Sequence, residues 1–148
     1  MKNSLVCVDA SLALKLVFQE TDSSKARQLW GEWAAQGFLI IAPSLWIYEI
    51  SSVVRNRVHR GMLQSDLEFA SLETLWKMPV QLLNPSGLSR KACRWARHFN
   101  RPAAYDSHYL ALAEMAACAF WTADERLFNT VSKELNWVSW LGNYLPTT

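Results

Sequence analysis

The sequence predicts an α/β fold in which helices cover both faces of a parallel β-sheet. Two observations carry this. Several short apolar runs are continuous rather than alternating, as in strands buried on both faces. Longer stretches with helical spacing separate them, and strands alternating with helices favour parallel pairing. The composition supports a packed core: 51% of the 148 residues are hydrophobic and 19% are charged, which excludes disorder for most of the chain. The length fits one compact domain spanning residues 1–148.

Leu5-Val6-Cys7-Val8 is the first apolar run and stops at Asp9. Residues 11–18 and 21–35 have helical spacing, the second with Leu29, Trp30 and Trp33 on one side and Gly37 as a stop. Residues 38–42 (Phe-Leu-Ile-Ile-Ala) form the second strand. Pro43-Ser44 opens a long helix that runs to about Arg60 and closes at Gly61. A helix beginning at Ser65 or Asp66 ends before Pro79, and residues 80–83 form a third strand. Residues 86–99 and 103–117 are helical, with Pro102 marking the start of the second. Residues 119–122 form a fourth strand, 124–133 a short helix, and 137–140 suit a last edge strand. Pro146-Thr147-Thr148 is expected to fray. There is no internal repeat, linker or low-complexity tract.

The net charge of +2 says little, but its distribution says more. No Asp or Glu occurs between Glu73 and Asp106, and that stretch carries Lys77, Arg90, Lys91, Arg94, Arg97, His98 and Arg101. Such a basic surface suits a polyanion, although a solvated helix face has the same composition. Cys7, Cys93 and Cys118 are odd in number and lack a CxxC spacing, so free buried thiols in a reducing compartment are expected. Asp9 and Lys15 interrupt the first apolar stretch, making it a poor signal peptide. No run approaches the roughly 18 apolar residues of a membrane span. A cytoplasmic protein with no membrane partner is therefore expected.

Four carboxylates occupy telling positions. Asp9 directly follows the first strand, and Asp124 follows the fourth by one residue. Ligands of open parallel sheets bind beyond the carboxyl ends of the strands, so the two are candidates for one site. A helix N-cap accounts equally well for either Asp, and Thr122 with Glu125 has the spacing of a capping box. Glu49 stands among Leu45, Trp46, Ile50 and Val53 within a helix, where desolvating an unpaired charge costs several kcal/mol. Ser52, Asn56 and His59 continue from it as a narrow polar line. An ion pair with an Arg is the structural alternative. Asp106 has Tyr109, Leu110 and Ala113 as helical neighbours, and a favourable helix dipole is its alternative. Clustered carboxylates repel unless a cation is present. Hard oxygen ligands select Mg2+ or Mn2+, ions suited to activating water and stabilising an in-line phosphoryl displacement.

At these residues the chain resembles the PIN-domain ribonucleases, especially the VapC-like toxins of bacterial toxin–antitoxin pairs. Four segments carry the resemblance in order: Val6-Cys7-Val8-Asp9-Ala10-Ser11; Ala42-Pro43-Ser44 with Tyr48-Glu49-Ile50; Tyr105-Asp106-Ser107-His108-Tyr109-Leu110-Ala111-Leu112-Ala113; and Trp121-Thr122-Ala123-Asp124-Glu125-Arg126-Leu127-Phe128. The third is the most specific, and together they span nearly the whole chain. The resemblance implies a three-layer α/β/α PIN-like fold with a central five-stranded parallel sheet. It implies Asp9, Glu49, Asp106 and Asp124 as catalytic, metal-site residues, with Ser11 and Thr122 as hydroxyls that orient them. It implies a Mg2+- or Mn2+-dependent endoribonuclease acting as a toxin, a small cognate antitoxin protein as partner, and a homodimer. Many family members carry Asn three residues after the Glu; here Ser52 stands there, with a shorter reach.

The alternatives are an RNA-processing PIN nuclease that is not a toxin, and a degenerate PIN fold that binds RNA or protein without cutting. Lys15, Arg90, Arg94 and Arg97 are candidates for RNA phosphate contacts. His59, His98 and His108 share no metal spacing, and the Ser and His residues lack a nucleophile elbow. Trp30, Trp33, Trp46, Trp76 and Trp95 are expected mostly in the core or at a dimer contact.

Overall fold

The protein is described by a computed structural model over residues 4–146. Strand β1 (Leu5–Val8) leads into helix α1 (Ala10–Val17), followed by α2 (Ser23–Gln36) and β2 (Leu39–Ala42). Helix α3 (Leu45–His59) precedes a short 3-10 turn (Ser65–Leu67) that runs into α4 (Glu68–Trp76). Then come β3 (Val80–Leu82), α5 (Leu88–His98), α6 (Tyr105–Met115), β4 (Ala119–Thr122), α7 (Glu125–Val131) and β5 (Val138–Trp140). Thr147 and Thr148, part of the end expected to fray, lie outside the described residues.

The five strands pair in parallel in the order β3-β2-β1-β4-β5. The central β1 sets Cys7 beside Ile41 on one side and Phe120 on the other. Alternation along a strand sends neighbouring residues to opposite faces. Cys7, Ile41 and Phe120 accordingly pack with Trp46, Ile50 and Tyr109 from α3 and α6. Val6, Val8 and Ile40 pack with Leu29 and Trp33 of α2 and with Leu141 and Tyr144. The result is the expected α/β/α arrangement, with β1 buried from both sides. Helix α1 contributes to both cores, with Leu12 facing one and Ala13 and Leu14 the other.

The departures from expectation are local. Cys7 and Cys118 are buried, but Cys93 is exposed. Helix α5 turns Leu88, Ala92 and Ala96 inward, and Cys93 falls one position round from that stripe. The residues expected to begin a helix at 65–66 form a 3-10 turn before α4 starts at Glu68. Trp33 and Trp46 are core residues, whereas Trp76 is exposed and Trp30 and Trp95 are half-buried.

Candidate active site

The site is assembled at the carboxyl edge of the sheet. β1 and β4 are hydrogen-bonded neighbours with Val8 opposite Trp121, so the loops leaving them carry Asp9 and Asp124 to the same edge of the sheet. Helix α3 supplies Glu49 from its second turn and α6 supplies Asp106 from its first. All four line one cleft of about 170 Å3, with Ser11 and Tyr109.

Asp9 is both cap and site residue. One carboxylate oxygen accepts from the Leu12 backbone N–H at 3.2 Å, capping α1, and from Ser11 Oγ at 2.6 Å. The other accepts from Thr122 Oγ1 at 2.5 Å. The residue is only 6% exposed. Burial pushes its carboxyl up from an ordinary 3.8 to about 7; the hydrogen bonds from Ser11, Thr122 and Leu12 oppose the shift, and the Glu49 carboxylate adds to it.

Thr122 joins the two strand ends. Besides donating to Asp9, its hydroxyl accepts from the Asp124 backbone N–H at 2.9 Å. This corrects the capping-box expectation for Thr122 and Glu125: Asp124 is the N-cap of α7 and accepts from Leu127 N–H at 3.1 Å. Thr122 lies within β4, two residues too early to cap, and its hydroxyl faces Asp9 instead. Ser11 Oγ makes a second tie between the two loops by accepting from Ala123 N–H at 3.0 Å.

Glu49 has no ion-pair partner among the described residues. It accepts a 2.5 Å hydrogen bond from Tyr109 Oη instead. Burial raises its pKa and the nearby Asp106 charge adds to this, while the Tyr109 hydrogen bond opposes it. Burial and the Glu49 carboxylate both keep the Tyr109 phenol protonated, so it stays a donor. Asp106 is turned onto Arg101, whose Nη2 lies 2.9 Å from Oδ2.

The donor set suits a hard divalent cation. It offers carboxylate and hydroxyl oxygens only, and burial with mutual repulsion is the environment a cation relieves. Among the described residues, no three His, Cys, Asp or Glu groups converge on one point as the side chains stand. Asp106 is held by Arg101 and Asp124 by its own helix.

Other sequence candidates fall elsewhere. Ser52 is exposed and does not line the cleft. Lys15 is largely covered and pairs with Glu20 at 3.7 Å. Arg90, Arg94 and Arg97 are exposed on α5, with no ion pair among the described residues. Sequence reasoning missed Tyr109 and Arg101 as partners of the acids. Tyr109 sits one helical turn beyond Asp106, a spacing that signals a shared face.

The PIN domain family model matches residues 6–134. The chain is 34% identical over 126 residues to VapC ribonuclease Mb0985 of Mycobacterium bovis, covering 85% of this chain and 91% of that protein. The same figures hold for ribonuclease VapC9 of Mycobacterium tuberculosis. Among solved structures, PAE2754 from Pyrobaculum aerophilum matches with a TM-score of 0.61 at 17% identity, covering 88% of each chain. Mycobacterium tuberculosis VapC20, described as a Sarcin-Ricin loop cleaving toxin, matches with a TM-score of 0.61 at 15% identity, covering 88% of this chain and 95% of that one. This chain belongs to the PIN-domain family, within its VapC ribonuclease branch.

Proposed function

We propose that this protein is a divalent-metal-dependent endoribonuclease and the toxin of a toxin–antitoxin pair. The observation that carries the proposal is that Asp9, Glu49, Asp106 and Asp124 line one small cleft of a PIN fold. The names of its VapC relatives support RNA as substrate.

Asp9, Asp106, Asp124 and Glu49 would hold Mg2+ or Mn2+. When bound, such an ion lowers the pKa of water and offsets charge on the scissile phosphate. Ser11 and Thr122 fix both oxygens of Asp9, and Tyr109 fixes Glu49, so these acids need little reordering. Arg101 neutralises Asp106 in the resting arrangement. Arg90, Arg94 and Arg97 are the proposed contacts to flanking phosphates; Lys15, paired with Glu20, and Ser52, outside the cleft, are given no part in the proposed site. A small antitoxin protein, a homodimer and a cytoplasmic location complete the proposal. Among the described residues, no helix is long and apolar enough to cross a membrane.

Asp9→Asn and Asp106→Ala are each expected to reduce RNA cleavage to background in Mn2+ buffer and to remove growth inhibition on expression. Circular dichroism should report an unchanged fold. Full cleavage by either variant would sink the proposal.

A further inference from the structure

A second cavity, of about 410 Å3, opens at the same edge of the sheet. It lies beyond β2 and β3, whereas the acidic cleft lies beyond β1 and β4. The two are bounded by the same two helices. On α3, Tyr48 lines the larger cavity and the next residue, Glu49, lines the acidic cleft. On α6, His108 lines the larger cavity while Asp106 and Tyr109 line the cleft.

The sizes divide the work. At about 170 Å3, the acidic cleft falls below the roughly 300 Å3 at which pockets begin to enclose organic ligands. It has room for a phosphate group and water, so a base attached to that phosphate must lie outside it. The neighbouring cavity is large enough.

Its walls have the chemistry for a base. Tyr48 is 66% exposed, a large aromatic surface left in water beside an acid. Pro85 adds an apolar wall. Asn84 is locked in orientation: its Oδ1 accepts from Ser44 N–H at 3.2 Å and its Nδ2 donates to Ser44 Oγ at 2.5 Å. One amide hydrogen and one carbonyl lone pair remain unspent. His108 Nδ1 lies 2.6 Å from the Ala104 carbonyl and must donate to it, so in the neutral ring Nε2 accepts from Ser89 Oγ at 3.0 Å. The Ser89 oxygen then keeps acceptor capacity. Arg90 completes the rim with no ion pair among the described residues.

We infer that this cavity is a nucleobase subsite, in which an unpaired base of RNA stacks on Tyr48, is met by Asn84 and Ser89, and has its phosphate drawn to Arg90. This inference rests on the ribonuclease proposal above. It deepens that proposal by placing the determinants of cut-site choice on α3, the β3–α5 loop and the start of α5.

The test uses the full chain carrying Asp9→Asn, so that RNA survives, with fluorescein-labelled single-stranded rA6, rC6 and rU6 followed by anisotropy. Adding Tyr48→Ala should weaken binding of at least one hexamer by about tenfold, and Tyr48→Trp should retain it. A hexamer of abasic ribose-phosphate should bind weakly and be indifferent to position 48. Arg90→Ala should weaken all hexamers alike and lower the salt slope by about one. On the active chain, Tyr48→Ala should broaden the set of cut sites in total RNA. Equal binding of every hexamer by Tyr48→Ala and its parent, with unchanged cut sites, overturns the subsite. An active chain that cleaves nothing, with Tyr48-dependent hexamer binding retained, overturns the nuclease proposal and leaves the subsite standing.

Discussion

Asp9 couples the site to stability. Its carboxyl titrates near 7 in the folded protein against an ordinary 3.8, because burial outweighs three hydrogen bonds. Below about pH 4 the group is protonated in both the folded and unfolded states. Between about 4 and 7 only the folded protein keeps the proton, so stability falls as pH rises through that window. Asp9→Asn removes this dependence while its amide can still accept from Leu12 N–H. The variant should melt several degrees above the parent at pH 8 and converge with it near pH 4, as read by calorimetry without divalent cations. Identical melting points at both pH values would show that Asp9 carries no buried charge. Glu49 was legible as an isolated acid on an apolar helix face. Its partner was not, because Tyr109 lies 60 residues away and only the fold brings the phenol to it.

At the scale of elements, two glycines separate what local chemistry reveals from what packing reveals. Gly37 ends α2 with φ at 74°, and the following N–H bonds back to Trp33 O at 2.9 Å. A glycine after an amphipathic stretch announces that stop in the sequence. Gly37→Ala should cost about 1 kcal/mol in urea unfolding, through left-handed strain. Gly142 looks unremarkable in the sequence. In the fold a Cβ there would meet the Trp140 ring at 2.3 Å. Gly142→Ala should cost roughly 1–3 kcal/mol by overpacking, and more than Gly37→Ala. A smaller loss would mean that Trp140 moves aside freely. Strands β1 and β4 have the bounds expected from the sequence, Leu5–Val8 and Ala119–Thr122. Helix ends drift by a residue or two, since spacing sets a face more sharply than a terminus.

For the molecule as a whole, the acidic cleft is a linkage point between folding and its proposed cation. Four carboxylates drawn together by folding are dispersed in the unfolded chain, so a divalent ion should bind the folded state far better. Mn2+ at a hundred times its dissociation constant should add about 2.7 kcal/mol, raising the melting temperature by several degrees. Asp9→Asn should lose most of that shift. A wild-type melting point indifferent to Mn2+ would sink the shared cation.

The sequence by itself determined the strand and helix order, the parallel sheet and the family motifs. Each of these rests on short-range pattern: continuous apolar runs, helical spacing, and an acid at the end of a strand. It also set Glu49 apart, because a lone carboxylate among apolar neighbours needs an explanation wherever the helix packs. The tertiary structure decided how the acids are held. Thr122 serves Asp9 rather than a helix cap, Tyr109 serves Glu49, and Arg101 holds Asp106. It also turned Cys93 to solvent and left Ser52 outside the cleft. Hydrogen bonds between residues 60 or 113 positions apart depend on strand register and helix rotation, and no local pattern in the chain encodes those.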